Sequence, residues 1–293
     1  MKISTSQIYD NLIQGVRKQM TLQADGNAQI ASGTRFQTPA QAGLDYKTSL
    51  DIRHAQSSVQ GGLDAIGVAQ SRLGVSQTLL NDMSNILKRA QTLAVQQASA
   101  QIGAPERQTA AIEVGHLLDQ MLGDANQQWQ GQTLFGGTAV DRPAFVTDAF
   151  GAIVYNGSAQ DRLVTISASQ QVTSNIRGDD PAFAPAFTAL QDLQTALQNN
   201  DVAGIQTALG NLNSAGNGMV DLTSVAGSRL NALQTYQNSY NDMKTQLDTQ
   251  LNLHEGVDIP AIMTRLQQSS IALQAAYGQI NNMQALSLTN YLK

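Results

Sequence analysis

The sequence of 293 residues contains no cysteine, and it is poor in charged residues (13%) and in aromatic residues (5%). The absence of cysteine excludes a disulfide framework, a thiol nucleophile and a metal site ligated by cysteine. The charged fraction is about half of the ~25% that is typical of globular domains. The few aromatic residues argue against a large globular enzyme core built around Phe, Tyr and Trp, and the low charge indicates a polar surface without strong fields.

Net positive charge and long apolar runs are also missing. The formal net charge is −5 and the sequence pI is about 5.1, so the basic surface that nucleic-acid binding requires is absent. Because no run of about 18 apolar residues occurs, we expect no membrane span. The first twenty residues lack the continuous apolar core of a cleaved signal peptide. We therefore expect a cytosolic protein, or one exported without such a signal.

Patterns that would indicate catalysis or metal binding are incomplete. His54, His116 and His254 have no partner at a recognised metal-ligand spacing. The pair His254-Glu255 begins like a zincin motif, but Asp258 stands where the second histidine is needed. Neither a Gly-x-Ser-x-Gly nor a Walker A pattern is present. We expect no catalytic residue, no cofactor and no metal.

The clearest pattern is a heptad repeat between residues 46 and 100. Large residues recur at every seventh position, and mostly small residues stand three positions further on, which is typical of a helix that packs closely along its length. The large positions are Ile52, Val59, Ile66, Leu73, Leu80, Leu87 and Ala94, and the small series is Ala55, Gly62, Ala69, Ser76, Met83 and Ala90. This predicts one long helix in a bundle.

Further helices are predicted before and after a central region of strand-like sequence. We expect a second helix over residues 105–130, which ends at Gly131 and carries Ile112 and Trp129 on its apolar side, with Trp129 packing into the core. After residue 182 helix returns, and Asp201 is a plausible N-cap. We then expect a separate long helix over 218–253 and a last helix from Ile259 onward.

The region between the two helical halves has strand chemistry. Short runs rich in Val, Ile, Phe and Tyr are separated by Asp-Ala-Phe-Gly and Asn-Gly-Ser, which is typical of strands and turns. We place a small β module at residues 138–181, preceded by a turn or short hairpin at "GQTLFGGT". The predicted fold is mainly α: a long, coiled-coil-like helical bundle formed by the N- and C-terminal halves, with a small inserted β module.

The two ends of the chain carry complementary apolar seams. Because exposed apolar stripes usually mark interaction surfaces, we interpret residues 1–40 and 255–293 as terminal helices for assembly between subunits. Residues 41–137 and 182–254 would form a helical rod, and 138–181 an outer module. The predicted assembly residues are Ile8, Leu12, Val16, Met20, Ile259, Ile262, Leu266, Leu273, Ile280, Met283, Leu286 and Leu288.

Three ordered motifs resemble the flagellin superfamily and, within it, the hook-associated protein 3 family. The first is "IASGTRFQTPAQAGLDYKTSLDIR", in which Pro39-Ala40-Gln41 stands where the family usually has an acidic pair. The second is "ANQQWQGQTLFGGT", and the third runs from "EGVDIP" through Leu286-Ser287-Leu288. The matched positions of the first two motifs are Ser32, Gly33, Arg35, Asn126, Leu134, Phe135, Gly136 and Gly137.

The resemblance implies a structural component of the bacterial flagellum that joins the hook to the filament and on which flagellin assembles. It implies four partners: the hook-side hook-associated protein 1, flagellin, neighbouring copies of the chain in a ring, and an export chaperone that covers the C-terminal helix in the cytosol. It also implies an extracellular location, reached by unfolded export through the flagellar type III channel without a cleaved signal.

Three alternatives remain open from the residues. A filament-forming flagellin would share the helices, although "GQTLFGGT" and the small insert favour the junction protein. An enzyme on a flagellin-like scaffold would need chemistry in the insert, which contains no histidine. An unrelated coiled-coil component of a secretion system or phage tail would have to match three motifs in order.

Overall fold

The computed structural model describes residues 5–36, 38–167 and 170–288. The helices are α1 (Thr5–Ser32), α2 (Pro39–Ala42), α3 (Leu44–Gln97), α4 (Ala104–Ala125), α5 (Phe183–Gln198), α6 (Val202–Glu255) and α7 (Ile259–Leu288). The strands are β1 (Gln128–Trp129), β2 (Gln132–Thr133), β3 (Phe145–Thr147), β4 (Ile153–Tyr155), β5 (Leu163–Ser167) and β6 (Gln170–Thr173). The predicted mainly α fold with a small β insert is confirmed.

The chain divides into two compact units. One comprises residues 1–57 and 244–293, and the other comprises residues 58–243. The first contains α1, α2 and α7 with one end of α3 and of α6. The second contains α4, α5, the six strands and the remainder of α3 and α6.

The second unit is built on an antiparallel pairing of α3 with α6. The Gln91 side chain donates to the Leu212 carbonyl at 3.0 Å, and the Gln70 side chain donates to that of Gln234 at 3.4 Å. The two helices therefore run in opposite directions. Every large heptad position from Ile66 to Ala94 is fully buried. Buried α6 residues complete this seam: Ile205, Ala208, Leu212, Ala215, Met219, Leu222, Ala226 and Leu233.

Helices α4 and α5 complete the core of this unit. They contact each other, and both supply buried residues to the same cluster as α3 and α6. On α4, Ala110, Ala111, Val114, Met121 and Ala125 are buried, whereas the predicted core residue Ile112 is 57% exposed. The predicted apolar face of α4 was therefore wrong at Ile112, because Val114 and its neighbours face the bundle instead.

Two predicted helix boundaries also differ from the structure. Helix α4 ends at Ala125 rather than at residue 130, because Trp129 pairs with Gln132 in the hairpin β1–β2. Trp129 is half-buried and packs against the core, as expected, although from a strand. The predicted break near residue 218 is absent, since α6 is one helix that begins directly after Asp201, whose carbonyl accepts from the Ile205 amide at 3.0 Å.

The strands form three separate antiparallel hairpins. They are β1–β2, β3–β4 and β5–β6. Phe145 of β3 lies at the centre of an aromatic cluster, with ring centroids 5.2 Å from Phe183, 5.1 Å from Phe187 and 5.6 Å from Tyr155. Burial of these rings anchors the β3–β4 hairpin on α5.

Candidate assembly site

Helices α1 and α7 of the first unit pack against each other as an antiparallel pair, here called the terminal pair. The Ser269 hydroxyl donates to the Gln19 carbonyl at 3.2 Å. Nearer the end of α1, Gly26 faces Ile262 and Leu266. These two contacts show that α1 and α7 run in opposite directions.

The terminal pair buries only part of the predicted apolar seam. Val16, Ile262 and Leu273 are buried, with 6–7% of each side chain exposed. Half-buried positions are Leu12, Leu266, Ile280 and Met283, and exposed positions are Ile8, Met20 and Ile259. The side chains of Leu286 and Leu288 lie outside the described residues. The predicted seam is thus divided between packing within the pair and an exposed surface.

Eight apolar side chains of the terminal pair, three of which belong to the predicted seam, remain exposed in the described part of the chain. These residues, here called the outer surface, are exposed by 37–60%: Ile8, Tyr9, Met20, Leu22, Ile259, Met263, Ile271 and Tyr277. A groove of about 430 Å³ lies between the helices, lined by Leu12, Gly15, Ala272 and Ala276 among others. The small residues along this groove leave room for side chains of another helix.

The first family motif forms the link that follows α1. The Gly33 amide donates to the Gln29 carbonyl at 2.9 Å and ends the helix. The Arg35 backbone amide donates to the Glu255 carbonyl at 2.7 Å, and its guanidinium donates to the His254 carbonyl. The Ser32 hydroxyl lies 3.0 Å from that of Thr34. These contacts fix the loop after α1 against the corner between α6 and α7.

The same corner contains a buried carboxylate that the sequence interpretation missed. Glu255 is 6% exposed, and Arg53 of α3 donates to both of its oxygens, Nη2 to Oε2 at 2.6 Å and Nε to Oε1 at 3.3 Å. This hydrogen bond raises the pKa of Arg53 above its ordinary value. No local signal in the sequence connects two residues so far apart.

The second family motif holds the β3 strand in the second unit. The Asn126 side chain donates to the Phe145 carbonyl and accepts from the Phe145 amide, both at 2.9 Å. Leu134 and Phe135 are fully buried. The Phe135 ring lies 5.3 Å from that of Phe183. This motif therefore stabilises the fold around the insert.

Gly137 of the same motif occupies a position that no other residue fits. Its φ is +66°, and an added Cβ would lie 2.1 Å from the Ser158 carbonyl oxygen. The neighbouring Gly136 carbonyl accepts from the Ser158 amide at 3.0 Å. A side chain here would clash with backbone that the motif itself holds in place.

Other buried charges were also missed. Arg107 of α4 is 3% exposed and donates to the carbonyls of Gln97 at 3.1 Å and Ser99 at 2.8 Å, and to the Asn200 side chain. It therefore joins the loops at one end of the second unit. A charged residue at a core-facing helical position was the only signal available, and it gives no information on the partners.

Metal and membrane features are not found in the described residues. Within them no group of three His, Asp or Glu residues is placed to hold a metal ion. None of the helices in the described ranges is long and apolar enough to cross a bilayer.

The first half of the chain matches a known family model. Residues 3–139 match the bacterial flagellin N-terminal helical region. This match covers α1 to α4 and the second motif, so this part of the chain is similar to the N-terminal helical region of bacterial flagellins.

Comparisons with individual proteins show a more specific similarity, to hook-associated proteins of the flagellum. Flagellar hook-associated protein 3 of Salmonella typhimurium is 21% identical to this chain, with 98% of each chain covered. The crystal structure of Bacillus cereus FlgL is 22% identical with a TM-score of 0.61, covering 69% of this chain and 99% of that one. The flagellar junction protein FlgL from Legionella pneumophila is 16% identical with a TM-score of 0.58, covering 69% and 98%. These matches confirm the resemblance to the flagellin superfamily and its hook-associated protein 3 family.

Proposed function

We propose that this chain is a structural component of the bacterial flagellum that joins the hook to the filament and serves as an adaptor on which flagellin assembles. The observation that carries the proposal is the terminal pair with its exposed outer surface. The similarity to flagellar hook-associated protein 3 along nearly the whole chain supports the same role.

Packing of other helices on the terminal pair accounts for its composition. Two paired helices bury one seam, and their remaining apolar side chains stay in water unless further helices cover them. These side chains are already about half-buried, so burial of the remainder of each would contribute about 0.5–1.5 kcal/mol. The eight residues of the outer surface therefore provide a strong driving force for association. The helices that cover the outer surface would be the terminal helices of neighbouring copies in a ring, of hook-associated protein 1 and of flagellin.

This proposal assigns a role to each part of the chain. Residues 1–40 and 255–293 would join subunits, residues 41–137 and 182–254 would form the body, and residues 138–181 would face outward. Contacts between different surfaces of adjacent copies produce rings and helical assemblies. The β3–β4 hairpin is held by Asn126 and the aromatic cluster, which would keep this part of the outer module rigid on the body.

The outer surface would have to be covered by another protein before assembly. An exposed apolar helix in the cytosol would aggregate, so an export chaperone would cover α7 until the chain leaves the cell. The location would be extracellular, after unfolded passage through the flagellar type III channel without a cleaved signal. The function needs no chemistry, and we propose no catalytic residue and no cofactor.

Deletion of the gene in a motile host tests the junction role. We expect hooks without filaments on the cell surface and flagellin lost to the medium. Intact filaments in the deletion strain would contradict the proposal. Loss of filaments whose bulk material is this chain would identify it as a flagellin instead.

Complementation with two matched variants tests the outer surface. Ile271 of the terminal pair and Val95 of the second unit are both 60% exposed. We expect Ile271→Gln to fold and be exported but to restore few filaments, whereas Val95→Gln should restore motility. Equal restoration by both variants would show that the outer surface is not the assembly site.

A further inference from the structure

Helix α7 carries small apolar residues on one flank and large ones on the other. Successive residues of an α-helix are about 100° apart around its axis. Ala272 and Ala276 therefore lie to one side of the buried residue Ile262, and Met263 and Tyr277 lie to the other side. Met263 is 60% exposed and Tyr277 is 47% exposed, so the large flank projects from the terminal pair.

Helix α1 is divided in the same way. Gly15 lies to one side of the buried residue Val16, and nothing lies within 4 Å of a Cβ added at Gly15. Ile13 and Met20 lie to the other side, where Ile13 is half-buried and Met20 is exposed. Both helices of the pair thus have a small flank and a large flank.

The groove between the helices joins the two small flanks into one face of the pair. The residues that line its volume of about 430 Å³ are here called the groove face: Ile8, Asn11, Leu12, Gly15, Gln19, Ala272 and Ala276. The two large flanks share the opposite side, here called the ridge face: Ile13, Met20, Met263 and Tyr277. Each copy of the chain therefore presents two different apolar surfaces that face away from each other.

The ridge face reaches the height of the groove. Tyr277 directly follows Ala276 in the sequence, and Ile13 directly follows Leu12, so both large residues lie level with the groove on the other side of the pair. No Asp, Glu, Lys, Arg or His occurs between Leu266 and Leu288. Contact between the α7 helices of two copies at this height would therefore bring no like charges together.

We propose, on the basis of the assembly into a ring proposed above, that neighbouring copies meet ridge face to groove face, with Tyr277 of one copy entering the groove of the next. A ring requires two different, complementary surfaces on each copy, whereas a two-fold dimer pairs one surface with itself. Contact of ridge with ridge would leave the groove empty. The opposite placement of the two faces at one height suits a ring and identifies a second copy of this chain as the occupant of the groove.

A tyrosine suits this groove in shape and in polarity. The small side chains at Gly15, Ala272 and Ala276 leave space in which an aromatic ring can pack closely. A buried tyrosine hydroxyl usually finds a hydrogen-bond partner. The side-chain amides of Asn11 and Gln19, which line the groove, offer both donors and acceptors.

Cross-linking through introduced cysteines in the full-length chain tests the contact, because the chain has no cysteine of its own. Asn11→Cys places a thiol on the groove face. Gln274→Cys places one beside Tyr277, since residues three apart are neighbours on a helix. Both positions are exposed and lie on opposite sides of the pair. Flagella from a deletion strain that carries the variants would be treated with a short bismaleimide and blotted for this chain.

The pattern of products identifies the faces that meet. We expect a ladder of dimers and longer products from the double variant Asn11→Cys/Gln274→Cys, because every copy carries both thiols. Two single variants expressed together should give dimers and nothing longer, and each single variant alone should give no product. Dimers in a strain with one single variant would mean that like faces meet. That result would overturn the proposal, as would restored filaments without products from the double variant.

The same treatment of the concentrated purified chain distinguishes this contact from the junction role. A cross-linked double variant, together with intact filaments in the deletion strain, would retain the contact and reject the junction role. Loss of filaments on deletion, followed by their restoration by a double variant that does not cross-link, would retain the junction role and reject the contact.

Tyr277→Ala in the double-cysteine background tests the ridge residue itself. Tyr277 is 47% exposed, so we expect an unchanged melting temperature of the monomer. The yield of cross-linked products should fall about tenfold, as is typical when a central aromatic contact is truncated. Met243→Ala, at a side chain of equal exposure in the second unit, is the control and should leave the yield unchanged. An undiminished yield in Tyr277→Ala would overturn the proposed role of this tyrosine.

Discussion

Arg53 and Glu255 are 202 residues apart in the sequence, yet their side chains form an ion pair with an Nη2–Oε2 distance of 2.6 Å. The Glu255 side chain is 8% exposed and the Arg53 side chain is 56% exposed. The pair joins the first turns of α3 to the last residue of α6 within the unit of residues 1–57 and 244–293. The loop that follows α1 contacts the same corner through Arg35.

Replacement of Glu255 by glutamine should destabilise this corner. Loss of the charge removes a charge-assisted hydrogen bond and leaves buried polar groups poorly matched, at a cost of about 1–3 kcal/mol. Hydrogen exchange of residues around 254–258 should become faster. The matched control is Glu113→Gln, because the Arg89–Glu113 pair is exposed by 52% and 41% and such pairs contribute about 0–1 kcal/mol. Similar effects of both changes would contradict the role of burial.

Neutralisation of Asp124 should stabilise the second unit at neutral pH. Burial, and then the charge of Asp82, raise the pKa of Asp124 above its ordinary value of 3.8, and its Oδ2 is buried without a partner. A raised pKa gives a stability contribution that is complete below pH 3.8 and is lost as pH rises through the folded-state value. Asp124→Asn should therefore raise the melting temperature at pH 7 and leave it unchanged below pH 3.8.

The size of this effect is limited by solvent. Asp124 is partly exposed, so water screens the charge and we expect a gain of up to about 1 kcal/mol. Asp119→Asn, an exposed change on the same helix, is the control and should alter the melting temperature little at either pH. A gain in Asp124→Asn that is equal at both pH values would exclude the proposed titration.

Removal of the Asn126 side chain should loosen the β3–β4 hairpin. Asn126→Ala breaks the two hydrogen bonds to the Phe145 backbone and leaves both backbone groups unpaired, which should cost about 2–4 kcal/mol. Chemical denaturation should report this loss, and the Phe145 amide should exchange faster. Gln127→Ala, at the neighbouring exposed position, is the control. An unchanged Phe145 exchange rate would show that the aromatic cluster alone holds the strand.

The features that the sequence predicted well are those encoded by local periodicity. The heptad positions of α3 are buried because one face of a long helix packs against the other helices of the bundle. This face can be predicted from residue spacing alone. The break predicted near Asn217-Gly218 was wrong, because packing of Met219 and Leu222 into the core maintains the helix despite its glycines. Intrinsic helix propensity is a weak guide where tertiary contacts act.

The pairs that connect distant parts of the chain could not be predicted. The partners of Arg53 and Arg107 depend on how loops and helix ends meet in three dimensions, and no spacing rule encodes them. The motif residues Asn126 and Gly137 could be identified by resemblance, but only the structure shows that Asn126 holds Phe145 and that Gly137 must lack a side chain. The resemblance thus identified these two residues, and the contacts explain why asparagine and glycine are required at these positions.

Enlargement of Gly26 should separate the terminal pair. A Cβ added at Gly26 would lie 2.8 Å from Leu266 Cδ2, 3.2 Å from Leu266 Cγ and 3.5 Å from Ile262 Cγ2. Gly26→Val adds two further methyl groups, more than a rotation of the Leu266 side chain alone should accommodate, so we expect α1 and α7 to move apart and lose burial of Ile262. We expect faster hydrogen exchange over both helices and poor complementation of filament assembly.

Gly15→Val separates this packing effect from the effect of valine on an exposed helix. Gly15 lies on the same helix with nothing within 4 Å of an added Cβ, so valine there costs no contact between α1 and α7. Normal exchange of α7 in Gly15→Val and fast exchange in Gly26→Val would show that close approach at Gly26 holds the pair. Poor complementation by Gly15→Val with normal exchange would instead indicate that a partner helix occupies the groove beside Gly15. Fast exchange of α7 in both variants would mean that helix propensity, rather than contact with Leu266, limits the stability of α1.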